Sequence, residues 1–261
     1  MPLPGGTTPI DREAVRRKLA LVSKNIGRVS GSPSPNRARI AREVTARLEA
    51  HPGIKRAKVE TAQLYTFPDF LSEAECDALV ALIDKSARPS TLLAAHEDPE
   101  FRTSSSTDLD RWSDLVWQID DRIAHLLGLP PENAETLQGQ RYAPGQQFRA
   151  HCDYFHEGAE YWEKMLEYGG QRTWTAMAYL NDVEEGGATW FPRAGVRFKP
   201  KKGLLLIWNN MMEDGAPNYD TLHEGMRVLE GTKYIVTKWF RENAWIRGHV
   251  PTYYAGGEQR A

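Results

Sequence analysis

The chain has 261 residues and 41% hydrophobic content, enough to build a sizeable core and unlike a disordered composition. Its 33 Lys and Arg nearly offset 35 Asp and Glu, and the two cysteines, Cys76 and Cys152, belong to no CxxC pair and exclude a disulfide framework. No apolar run approaches the roughly 20 residues of a membrane helix. The opening MPLPGGTTPI lacks the features of a secretory signal, so a soluble, cytoplasmic protein is the expectation.

Charge is unevenly distributed. From Arg12 to Lys58 there are 13 basic residues against three acidic ones, a basic segment on an acidic body. Thr8-Pro9 ahead of Asp11 predicts a helix carrying Val15, Leu19, Val22 and Ile26, stopped by Gly27. Ser34-Pro35 predicts a second with Ala41, Val44 and Leu48 on one face, ended by His51-Pro52-Gly53. Residues 1–60 therefore read as a basic helical extension. Its helices either pack on the outside of the body or dock an acidic partner, and nucleic acid is not expected because no motif for it is present.

Ser72-Glu73-Ala74-Glu75 is a capping box ahead of Cys76, Leu79, Val80 and Ile83, and a further helix is predicted near Ser113 with Leu115, Val116, Ile119, Ile123 and Leu126 before Gly128. After Pro130-Pro131 the pattern changes. Short segments rich in aromatic and β-favouring residues, Trp174 to Leu180, Ala188 to Phe191, Leu204 to Trp208 and Tyr234 to Phe240, alternate with Gly, Pro, Asn and Asp. Strands so punctuated, with no helical pattern between them after Gly170, predict a sandwich or jelly roll and an α+β fold class.

The chemistry-bearing residues lie in this second half. In His151-Cys152-Asp153, an imidazole and a carboxylate two residues apart on an extended segment project to one face and can share an ion. Such a pair also describes an ordinary surface couple, so a third ligand is needed, and His223 is the candidate if a barrel returns the chain to the same mouth. Two His and one Asp are the donor set of non-haem Fe(II) oxygenases, although zinc is possible on ligand type alone. Ten residues on, Lys233 opens a strand in which Lys233, Ile235, Thr237 and Trp239 face one way and Tyr234, Val236, Lys238 and Phe240 the other.

These residues and their flanks resemble the prolyl 4-hydroxylase group of the Fe(II)/2-oxoglutarate-dependent dioxygenases. The blocks are Phe101-Arg102-Thr103-Ser104, Arg141-Tyr142-Ala143-Pro144-Gly145-Gln146, His151-Cys152-Asp153-Tyr154-Phe155, and Gly170-Gln171-Arg172 with Thr175. They continue with Tyr179 to Thr189, Pro200-Lys201-Lys202-Gly203 and His223 to Lys233, ending in Lys238-Trp239.

The resemblance implies a double-stranded β-helix core with the N-terminal helices packed outside it. One domain would span residues 61–261, with helical support over 61–131 and the jelly roll over about 132–243. It further implies that His151, Asp153 and His223 hold Fe(II), and that Lys233, with Tyr142 and Thr175 as neutral partners, binds the distal carboxylate of 2-oxoglutarate. Arg172 and Trp239 would contact substrate. O2 would be the oxidant and ascorbate the reductant, with succinate and CO2 released. The substrate would be a prolyl residue of a peptide or protein. A free amino acid or other small molecule on the same site is the alternative, or else a non-catalytic metal-binding scaffold. Retention of Asp153 argues for hydroxylation over halogenation. Cys152 stands where the family often has Tyr and is expected to point away from the metal. The stretch Tyr154 to Gly170 is expected to form a lid over the cleft.

Overall fold

A computed structural model describes residues 31–93 and 98–245. The first expected helix, with Val15, Leu19, Val22 and Ile26, lies outside the described residues. The second is α1 (Pro35–Ala50): the Ser34 side chain accepts from the Arg37 amide, and Pro35 occupies the first turn, where a missing N–H costs nothing. In α2 (Glu73–Ser86) the capping box forms reciprocally between Ser72 and Glu75. Helix α3 (Asp114–Leu127) ends on Gly128 at φ 68°, a left-handed conformation that suits glycine. A short α4 (Trp162–Glu167) lies within the stretch that follows the HxD pair.

The large sheet has eight strands. In order across it they are β1 (Lys55–Arg56), β2 (Leu64–Phe67), β11 (Leu205–Asn209), β7 (Arg172–Tyr179), β14 (Lys233–Arg241), β5 (Gln138–Tyr142), β4 (Ser105–Asp108) and β3 (Arg88–Pro89). A second sheet runs β10 (Val196–Phe198), β9 (Thr189–Phe191), β12 (His223–Gly225) and β6 (Phe148–His151), and β8 (Glu185–Gly186) pairs with β13 (Val228–Glu230) in a small ribbon. All these pairings are antiparallel. The sheet starts earlier in the chain than residue 132: β1, one edge strand, falls within residues 1–60 expected as a helical extension, and the region expected as helical support supplies β2, β4 and the other edge strand, β3.

Strand alternation divides the core in two. Trp174, Ala176 and Ala178 of β7, with Leu205 and Ile207 of β11, pack on one face against Ile40, Val44 and Leu48 of α1, Leu79 and Ile83 of α2, and Val116, Ile119 and Ile123 of α3. Met177, Tyr179, Leu206 and Trp208 point to the other face and meet Phe191 of the small sheet. The helices thus cover the outside of the large sheet, and the space between the sheets is left for a site.

Candidate active site

His151 closes β6 and His223 opens β12, and the two are direct cross-strand partners. Their rings lie 4.4 Å apart between centroids. Asp153 follows just beyond the strand end, with Oδ1 3.9 Å from Nε2 of each histidine. One ligand atom from each of the three residues lies within 4.8 Å of the others, so the fold brings these side chains together. Each ring is oriented from behind: Nδ1 of His151 donates to the Arg149 carbonyl at 2.8 Å, and Nδ1 of His223 to the Thr221 carbonyl at 2.9 Å. A carbonyl only accepts, so these bonds put the proton on Nδ1 and turn the Nε2 lone pairs inward, as a metal requires. The turn Tyr219–Thr221, capped by Asn218, places the carbonyl that orients His223.

Aromatic rings enclose both imidazoles. Phe148 stacks on His151 at 3.6 Å, while Trp208 and Phe191 flank His223 at 4.9 and 5.3 Å. Burial, with His223 adjacent, pushes His151 down to about 3. For Asp153, burial acts to raise the carboxyl, but the two imidazoles, Arg172 and the Thr175 hydroxyl outweigh it and leave the group below its usual range. The donor set, its convergence and its tautomers fit a divalent transition metal.

Thr175 takes a different place from the one the resemblance implies. Its hydroxyl donates to Asp153 Oδ2 at 2.7 Å and accepts from Asn210 Nδ2 at 2.9 Å, so its single proton is committed to the metal-binding carboxylate. It does not line the cavity. Thr189, from the adjacent sheet, does, and its hydroxyl accepts from Tyr179 at 2.6 Å.

The cavity runs inward from the His-Asp-His cluster between the two sheets, with about 370 Å³ of empty space including its open mouth. Odd-numbered residues of β14 line it: Lys233, Ile235, Thr237 and Trp239. Lys233 is 1% exposed, its Nζ 5.1 Å from the Tyr142 ring centroid and 5.6 Å from that of Tyr179. Burial alone pushes its ammonium down to about 7, with no acidic residue among the described residues offsetting it. Gly225 faces the same Nζ, and a Cβ there would stand 3.8 Å from it. An ammonium desolvated without a counter-charge, at the far end of a cavity headed by metal-binding atoms, fits one carboxylate of a small dicarboxylate whose other end reaches the metal.

Near the mouth, Arg172 is clamped by Glu135 through two bonds of 2.6 Å, and its plane stacks on Trp239 at 4.1 Å. Trp239 lines the cavity and its buried Nε1 has no hydrogen-bond partner among the described residues. Glu135 also accepts from Arg241, whose guanidinium packs 4.3 Å from the Phe155 ring.

The stretch expected to form a lid contributes nothing to the cavity lining. Gln171 clamps Phe155 through both backbone groups, Arg241 donates to the Gly170 carbonyl, and Arg37 of α1 donates to Glu157 at 2.8 Å, so the stretch is fastened beside the cavity. Cys152 does not line the cavity, and burial pushes its thiol up to about 12.

Several site residues escaped the sequence reading. Gln140 was legible in principle, two residues before Tyr142 on the same strand face, and Thr189 closes a glycine-rich block already singled out. Glu135 carried no local signal, since its role arises from two arginines distant in sequence.

The 2OG-Fe(II) oxygenase superfamily model matches residues 137–241. Prolyl 4-hydroxylase 2 of Arabidopsis thaliana is 32% identical over 207 residues, covering 69% of this chain and 68% of the relative. Prolyl 4-hydroxylase 1 of the same plant is 35% identical over 196 residues, covering 67% and 68%. Among solved structures, the viral collagen prolyl hydroxylase of Paramecium Bursaria Chlorella virus-1, in a 2OG complex, aligns with a TM-score of 0.54 at 30% identity, covering 68% of this chain and 95% of that one. The chain belongs to the 2OG-Fe(II) oxygenase superfamily and is a prolyl 4-hydroxylase-like, 2-oxoglutarate-dependent dioxygenase.

Proposed function

We propose that this enzyme hydroxylates a prolyl residue in a peptide or protein. The observation that carries the reading is the meeting, in one cavity, of the His151, Asp153 and His223 ligand atoms with the buried, uncompensated Lys233. A scaffold needs no such pairing of a metal site with an anion receptor. When bound, Fe(II) would supply redox chemistry that couples decarboxylation of 2-oxoglutarate to succinate and CO2 with oxygen insertion into a C–H bond.

The chain's own residues would do the holding and orienting. His151, Asp153 and His223 would hold the metal, with Thr175 and two backbone carbonyls fixing their directions. Lys233 would pair with the distal carboxylate, and the apolar walls around it would keep water from weakening that pair. At the mouth, the Trp239 face offers a flat surface for a pyrrolidine ring. Arg172, held rigid by Glu135, offers a donor to a peptide carbonyl. Likeness to prolyl 4-hydroxylases supports the choice of proline. Ascorbate is the proposed reductant.

The test is succinate release measured over a panel of proline-containing peptides, free proline and other amino acids, with mass measurement of any oxygenated product. Peptide-dependent succinate and a peptide heavier by one oxygen are expected. Turnover of free amino acids alone would replace the peptide reading with the small-molecule one.

A further inference from the structure

Gln140 is a carboxamide inside the cavity, 4% exposed, on β5 between the sheets. A buried amide in such a place is costly unless both its ends are bonded. Here they are. Gln140 Oε1 accepts from the Tyr142 hydroxyl at 2.6 Å, and Nε2 donates to Thr237 Oγ1 at 3.3 Å. Both partners are hydroxyls, which donate or accept equally well, whereas the two ends of an amide do not. The orientation of Gln140 therefore sets the direction of the Tyr142 proton, and with Oε1 toward Tyr142 that proton points at Gln140. A Tyr142 hydroxyl so committed has no proton for a carboxylate.

We propose that Gln140 is a positioning residue that acts through Tyr142: when 2-oxoglutarate enters, the Gln140 amide turns over, Nε2 donates to the Tyr142 oxygen, Oε1 accepts from Thr237, and the Tyr142 proton is released to the incoming carboxylate. The inference rests on the dioxygenase reading above. Turning over keeps every bond in the chain of Thr237, Gln140 and Tyr142 and reverses its direction. A hydroxyl that accepts from an amide is also a better donor, because neighbouring bonds polarise one another. A residue of the same shape that can only accept would hold the Tyr142 proton permanently, and an apolar one would remove the amide and leave Tyr142 only its contact with Ser104.

The test is an anaerobic calorimetric titration of 2-oxoglutarate into Fe(II)-loaded wild type, Gln140→Leu, Gln140→Glu, Tyr142→Phe and the double variant Gln140→Leu/Tyr142→Phe, with thermal unfolding to establish that each is folded. Gln140→Leu is expected to weaken 2-oxoglutarate about fivefold, the loss of one hydrogen bond's net contribution. Gln140→Glu, which only accepts and adds negative charge, is expected to weaken it more. The decisive comparison is the cycle: in the Tyr142→Phe background, Gln140→Leu is expected to cause no further loss, because the path it acts through is gone. Additive losses, or a Gln140→Glu variant that binds as tightly as Gln140→Leu, would overturn the proposal while leaving the dioxygenase reading standing. A folded, Fe(II)-loaded wild type that binds no 2-oxoglutarate would overturn both.

Discussion

Two lysines on β14 face opposite ways, and both are buried, Lys233 at 1% and Lys238 at 0% exposure. Lys238 points to the helical layer, where Asp120 of α3 accepts from its ammonium and Arg111 stands 3.8 Å from the same carboxylate. Burial lowers Lys238 to about 8, with Asp120 offsetting part of the cost. Lys233 points into the cavity, and burial alone takes it to about 7. One cation is satisfied by the fold. The other is left for a ligand, and that difference separates a structural ion pair from an anion receptor on a single strand.

Substituting each lysine should therefore produce opposite signatures. Lys233→Met is expected to weaken 2-oxoglutarate about a hundredfold, the value of a charge-assisted hydrogen bond, while leaving the melting temperature unchanged or higher because a desolvated ammonium is removed. Lys238→Met is expected to cost about 3–5 kcal/mol of stability by stranding Asp120, with 2-oxoglutarate affinity retained in the folded protein, and Lys238→Met/Asp120→Leu should recover most of the loss. Calorimetric titration and denaturant unfolding read the two effects. Equal loss of ligand affinity in both variants would erase the distinction.

Thr175→Val sharpens the same division from the metal side. Because the hydroxyl donates to Asp153, the variant is expected to lose about 10–100-fold in Fe(II) affinity in a direct metal titration. A loss confined to 2-oxoglutarate would return Thr175 to the dicarboxylate end of the site.

The smallest effect is one of pH. Above about pH 7 the free Lys233 is largely neutral, whereas the dicarboxylate complex requires the ammonium, so binding must take up a proton. Affinity for 2-oxoglutarate is expected to fall by up to tenfold per pH unit above 7, with proton uptake approaching one per site at about pH 8.5, seen as a dependence of binding heat on buffer ionisation enthalpy. Lys238, already paired, predicts no such linkage. Binding without proton uptake would contradict the unpaired state of Lys233.

How much of this was legible follows from physical range. The capping box at Ser72 and the alternation along β14 are local, and both read correctly from the chain, because a capping box spans four residues and a strand has a period of two. The spacing of His151 and Asp153 put both on one segment, but their meeting with His223 depends on β6 pairing with β12, which no local pattern encodes. Thr175, expected beside 2-oxoglutarate, instead meets Asp153 and Asn210, contacts made by residues 22 and 35 positions away that no local pattern encodes. The stretch from Tyr154 to Gly170 looked like a lid because its fasteners, Arg37, Gln171 and Arg241, lie outside it.

The central claim is that one metal and one dicarboxylate share the cavity between the sheets. Anaerobic addition of Fe(II) and 2-oxoglutarate to the purified protein tests it directly, by the visible charge-transfer band that forms when the keto acid chelates iron. The account predicts the band in wild type and its loss in His151→Ala and Asp153→Ala. A wild-type protein that binds both components and shows no band would contradict it.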